Sequence, residues 1–199
     1  MRFDKALIAS ALVLALGSAW AQADQARAKK IVSGSCFLCH GEHGESSSEI
    51  FPKLAGQHAA YIARQLENFK SGKRKSTAMA DMSSRLTADE MLALGHYFEG
   101  KPVEPEAVKD TDLAAVGRYI FNSGNHFSGV PACTSCHGKA GLGTANLPRL
   151  AGQYASYIET QLTLFNQRER TNDNAVMHAI VSKMTPLEMA AVAVYISGQ

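Results

Sequence analysis

A five-residue pattern, Cys-x-x-Cys-His, stands twice in this chain, as Cys36-Phe37-Leu38-Cys39-His40 and as Cys133-Thr134-Ser135-Cys136-His137. The chain has four cysteines, and the two pairs use all of them. Two thiols one helical turn apart, followed at once by an imidazole, form the arrangement that attaches a c-type haem. The thiols add to the two vinyl groups of the macrocycle, and the histidine turns its ring toward the iron. A four-cysteine zinc site would have to join pairs separated by 94 positions, far beyond ordinary ligand spacing. A redox-active Cys-x-x-Cys of the thioredoxin kind needs a βαβ setting, and no such pattern surrounds either pair.

The duplication reaches well past the cysteines. Gly41 and Gly44 return at Gly138 and Gly141, 97 positions on, as the cysteines and histidines do. Pro52-Lys53-Leu54-Ala55-Gly56-Gln57 returns as Pro148-Arg149-Leu150-Ala151-Gly152-Gln153, at 96. Tyr61, Gln65, Leu66 and Phe69 return at Tyr157, Gln161, Leu162 and Phe165, and Thr87, Glu90 and Tyr97 at Thr185, Glu188 and Tyr195. A fixed period with small shifts marks a duplicated unit carrying loop insertions and deletions. The expected division is a signal segment over 1–23, one domain over 24–100, a linker over 101–111 with Pro102 and Pro105, and a second domain over 112–199. Each half is too short to bury a large core, so a bound macrocycle serves as part of it.

No stretch alternates with period 2, and the periodic stretches are helical. Gln25 to Ser33 reads as a short helix entering the first cysteine pair, with Leu113 to Asn122 as its counterpart. Tyr61, Gln65, Leu66 and Phe69 share one helix face, which Gly72 can end. Thr87 with Glu90 and Thr185 with Glu188 are capping boxes opening the last helix of each half, with Pro186 at the tolerated first position. Three helices and loops around one haem per half make the class all-α.

His40 and His137 supply one axial ligand each, and the repeat tests candidates for the other. None of His43, His58, His96, His126 and His178 meets another histidine 96 to 98 positions away. Methionine passes: Met79 pairs with Met177, and Met91 with Met189. Met91 and Met189 lie inside the final amphipathic helix, where a methionine ordinarily fills core space. Met79 and Met177 lie in the stretch before it, expected to be loop, where a thioether can reach the iron. Met82 faces Ile180 at the same offset, and Met184 faces Leu86, as core residues would. Pro52 and Pro148 offer carbonyls on stiff backbone, suited to holding the other imidazole nitrogen of His40 and His137.

At the N-terminus, Arg2 and Lys5 precede an apolar run from Ala6 to Leu16, and Ala21-Gln22-Ala23 forms a small-x-small cleavage pattern. This is the layout of a secretory signal peptide, which places the mature chain outside the cytoplasm. With 20 basic and 18 acidic residues the chain carries a net charge of +2, too balanced for a nucleic-acid binder. Lys70, Lys73, Arg74 and Lys75 cluster in the first half. They form either a docking patch for an acidic partner or a solvated basic loop.

Cys-x-x-Cys-His-Gly-x-x-Gly, Pro-Lys/Arg-Leu-Ala-Gly-Gln, the Tyr-x3-Gln-Leu-x2-Phe helix and Arg170-Thr171-Asn172-Asp173 together resemble the dihaem cytochrome c4 family, over essentially the whole mature chain. The resemblance implies two tandem class I cytochrome c-like domains, each wrapped around one covalent haem c. Cys36, Cys39, Cys133 and Cys136 would hold the haems, with iron ligated by His40 and Met79 and by His137 and Met177. It implies a periplasmic electron carrier rather than an enzyme, fed by a quinol-oxidising complex or a dehydrogenase and discharging to a terminal oxidase. Loose association with a membrane surface stays open. A haem enzyme needs an exchangeable iron position and acid–base residues aimed at it, and a dedicated electron-accepting subunit of one dehydrogenase is the remaining alternative.

Overall fold

The computed structural model describes residue 22 and residues 24–199, so the expected signal segment, residue 22 apart, lies outside the described residues. Each half is a set of helices around its own core. α1 covers 24–31 and runs without a break through a π-helical turn, Val32–Cys36, into Phe37–His40. α2 is Ala59–Lys70, α3 Thr77–Ser83 and α4 Ala88–Glu99. The second half repeats the order with α5 (Thr111–Ser123), α6 (Thr134–His137), α7 (Ala155–Asn166), α8 (Val176–Val181) and α9 (Pro186–Ser197). Among the described residues the extended pairings are two isolated bridges, Asn125–Val130 and Thr144–Leu147. The all-α reading therefore stands.

Two details differ from expectation. The entry helix does not stop at Ser33; a π-turn carries it into the first cysteine pair, whereas α5 ends at Ser123 and a loop over 124–132 precedes Cys133. Each half also holds a short helix, α3 or α8, in the stretch expected to be loop. Both capping boxes form: Thr87 and Thr185 accept from the Glu90 and Glu188 amides, and each glutamate accepts from the cap's own amide. A cap of this kind stabilises its helix by about 1 kcal/mol.

The first core gathers Val32, Ile62, Met91, Leu94, Tyr97 and Phe98. The second gathers Phe121, Ile158, Phe165, Val181, Met189 and Ile196. Each fully buried large side chain contributes roughly 1.5–3 kcal/mol. α5 crosses α9 at Gly117, where a Cβ would stand 1.9 Å from the Ala191 carbonyl oxygen, so only glycine permits the approach. The linker between the halves is extended, and it is strapped across them rather than free. Lys53 Nζ donates to the Glu104 carbonyl at 2.8 Å and pairs with Glu106, while the Glu106 amide donates to the Ser197 carbonyl at 2.8 Å.

Candidate haem sites

In each half a cysteine pair lies on a single turn of helix, which sets its thiols on one side of the chain. Cys36 closes the π-turn and Cys39 follows in Phe37–His40, and Cys133 caps α6, which carries Cys136. No disulfide joins any of the four cysteines. Burial raises the Cys36 thiol above the ordinary range and pushes Cys133 up to about 11 while they are not joined to a haem. The loop after each pair folds the chain back so that a proline carbonyl meets the histidine. His40 Nδ1 lies 2.9 Å from the Pro52 carbonyl oxygen, and His137 Nδ1 lies 3.3 Å from that of Pro148. A carbonyl only accepts, so Nδ1 carries the proton and Nε2 keeps its lone pair on the opposite side of the ring. Burial lowers the pKa of both rings, with the proline bond opposing it, which keeps them neutral. A neutral, oriented imidazole with a free Nε2 is what an iron ligand has to be. Phe51 stands edge-on to the His40 ring, with centroids 6.1 Å apart.

Met79 and Met177 occupy the first turns of α3 and α8, not loops, and both are half-buried. The helices form because their starts are tied. Ser76 Oγ accepts from the Met79 amide at 3.4 Å, and buried Ser83 donates to the Met79 carbonyl at 2.7 Å. On the other side Asp173 accepts from the Met177 amide, and His178 Nδ1 lies 3.1 Å from the Phe165 carbonyl, joining α8 to α7. The rivals divide cleanly. Met91 and Met189 are 2% and 4% exposed and belong to the two cores, as does Met184, while Met82 is exposed.

The groups that join the halves were not assigned a role from sequence. Gln57 Oε1 accepts from the Arg149 amide at 2.8 Å, and its Nε2 donates to the Arg149 carbonyl at 2.9 Å. Gln153 does the same for Lys53, at 2.9 and 2.8 Å. These are repeat-equivalent residues exchanging equivalent bonds, the mark of an approximate twofold axis. A second network obeys the same symmetry. Arg74 donates to Gln65 (2.9 Å), Tyr157 (2.9 Å) and Gln161 (2.9 Å); Arg170 donates to Gln161 (2.7 Å), Tyr61 (3.1 Å) and Gln65 (3.3 Å). Each guanidinium also lies over its own half's phenylalanine, Arg74 over Phe69 and Arg170 over Phe165. Neither arginine has a carboxylate partner among the described residues. Burial raises the Tyr157 phenol, and the two guanidiniums more than offset it, leaving the pKa lowered. Arg74 is thereby removed from the basic cluster, whose Lys70 bonds the Leu86 carbonyl; Lys73 and Lys75 remain exposed. The signal for this network was the offset itself, since Arg74 and Arg170 stand 96 positions apart.

Neutral anchored histidines beside cysteine pairs not joined in disulfides, built twice, fit a covalent haem in each half. A model of the Cytochrome c family matches the chain twice, over residues 25–124 and 114–199. The chain is 35% identical over 199 residues to a cytochrome c4 of Pseudomonas aeruginosa, covering 98% of each. The chain belongs to the cytochrome c4 family. The crystal structure of reduced recombinant cytochrome c4 from Pseudomonas stutzeri superposes with a TM-score of 0.81 at 34% identity, covering 89% of this chain and 97% of that one. A thiosulfate dehydrogenase electron acceptor of Thiomonas intermedia is 34% identical over 194 residues, 95% of this chain and 87% of its own. The protein is accordingly a dihaem c-type cytochrome and an electron carrier, its two haem c groups held covalently through its cysteine pairs. Its partners are redox proteins.

Proposed function

We propose that this cytochrome carries electrons in the periplasm through two His/Met-ligated haems, His40 with Met79 and His137 with Met177. The observation that carries the reading is the repeated pairing of a neutral, proline-anchored histidine with a half-buried methionine whose amide, on a short helix, is held by a side chain. When bound, each haem supplies one-electron exchange at its iron. The chain's own residues do the rest. Pro52 and Pro148 fix the imidazole planes, the short helices present the thioethers, and the two cores keep water from the rings. Arg74, half-buried, and Arg170, buried, both without carboxylate partners among the described residues, are suited to neutralising haem propionates. A thioether in the sixth position favours ferrous iron and leaves no open place for substrate, which separates a carrier from a haem enzyme. The donor is a quinol-oxidising complex or a dehydrogenase, and the acceptor a terminal oxidase. Among the described residues no helix is long and apolar enough to cross a membrane.

A second reading, the dedicated electron acceptor of one periplasmic dehydrogenase, is favoured by the name of the Thiomonas relative. It shares the same sites and differs only in partner. The test of the shared claim is the reduced protein under carbon monoxide at neutral pH. An unchanged spectrum is the expected result, and a carbon monoxide complex at either haem would reopen the case for an enzyme.

A further inference from the structure

The linker residue Val103 lies between two glycines that the repeat makes equivalent. A Cβ built on Gly56 would stand 2.3 Å from Val103 Cγ2, and one built on Gly152 would stand 2.5 Å from Val103 Cγ1. Each methyl therefore occupies the hollow left by one missing side chain, and a single side chain serves both halves. Both glycines have left-handed backbone, with φ of +65° and +74°, so a larger residue is excluded there twice over. The reciprocal Gln57 and Gln153 bonds lie around the same point. Lys53, Ala55, Gln57, Val103, Arg149 and Gln153 line a residual space of about 10 Å³ there, no more than one water's worth. The linker holds Val103 from one side, because Glu104 and Glu106 are bound by Lys53 of the first half and Glu106 also by Ser197 of the second.

We propose that Val103 is a positioning residue: its two methyls, one in each glycine hollow, set the orientation of the halves and with it the rate at which an electron passes between the two haems. β-Branching is what the position requires. Two carbons must leave Cβ in different directions to reach both hollows, which only Val and Ile supply; Thr, the other β-branched residue, would set a hydroxyl against one of them. Electron exchange between fixed centres depends on their separation and orientation, and a loosened axis would spread both. The proposal rests on the two-haem carrier reading for its consequence, but the packing it describes does not.

The haem-loaded protein is compared with Val103→Ala, Val103→Leu and Val103→Ile. Two amides report directly on the interface, those of Lys53 and Arg149, which donate to the glutamines of the opposite half. Val103→Ala is expected to speed hydrogen exchange at both by roughly tenfold, as loss of the two methyls packed on the glycines favours local opening. Val103→Leu, larger but branched one carbon further out, should behave like alanine, and Val103→Ile like the parent. After reduction of one haem by a light pulse, redistribution to the other should slow in the Ala and Leu variants while the spectrum of each haem stays unchanged. Unchanged exchange at both amides, a response at only one, or slowed redistribution in Val103→Ile to the level of alanine would overturn the proposal. Faster amide exchange with unaltered redistribution would do so as well. Absence of redistribution in the parent protein would instead contradict the two-haem reading, and the paired amide response would still decide Val103's place on the axis.

Discussion

A methionine's surroundings decide whether its sulfur is packing or ligand. Met91 and Met189 are enclosed by core side chains, whereas Met79 and Met177 are half-buried at the starts of short helices. Replacing Met91 or Met189 with alanine is expected to cost roughly 2–5 kcal/mol in denaturant unfolding, with visible spectra retained. A spectral change with little loss of stability would reverse the assignment. At this scale the repeat was a strong guide. It singled out the cysteines, the histidines, the proline carbonyls and the methionine pairs, because chemistry tied to one cofactor per half returns at the same offset. It was silent on Gln57 and Gln153, whose pairing in sequence was plain but whose bonds run to the other half, where a repeat within one half has nothing to say.

Helix ends were legible wherever a side chain forms them. Thr87 with Glu90 and Thr185 with Glu188 close their capping boxes as the spacing predicts. The Thr87 amide holds the Glu90 carboxyl below its ordinary value of 4.5, and the Thr185 amide, with Asn125, does so for Glu188. A carboxylate lowered in the folded state contributes stability that is fully present above the unfolded value and is lost as pH falls through the folded one. Stability measured between about pH 3 and 6 should therefore fall with acid, and fall less steeply in the Glu90→Gln, Glu188→Gln double variant. Equal slopes would show that these carboxylates are not bound in the folded protein. α3 and α8 were missed for a physical reason. With seven and six residues they are too short to show periodicity, and they are held by Ser76, Ser83, Asp173 and His178, ties of side chain to backbone that no apolar pattern announces. The π-turn at Val32–Cys36 likewise has no local signature; it leads straight into the cysteine pair, where the second half has a loop over 124–132.

Between the halves, charge that looked like one surface cluster proves to serve two purposes. Lys73 and Lys75 are exposed, while Arg74 reaches across to Tyr157 and Gln161. If the exposed pair steers an acidic redox partner, Lys73→Glu with Lys75→Glu should slow electron exchange with it at low salt, and the deficit should vanish near 1 M salt, where charges are screened within about 3 Å. Rates unaltered at low salt would leave these lysines as solvated surface. The twofold arrangement itself was half-visible. Duplication announced two equivalent units, but that they face each other through equivalent residues, with a linker side chain between them, depends on contacts nearly a hundred positions apart. The central claim is that each half ligates its own iron through one histidine and one methionine. The most direct measurement is the sulfur-to-iron charge-transfer absorption of the oxidised protein in Met79→Ala, Met177→Ala and the double variant. The account predicts loss of about half the band in each single variant and all of it in the double, since equivalent ligand sets contribute equally; a band that persists in the double variant would contradict it.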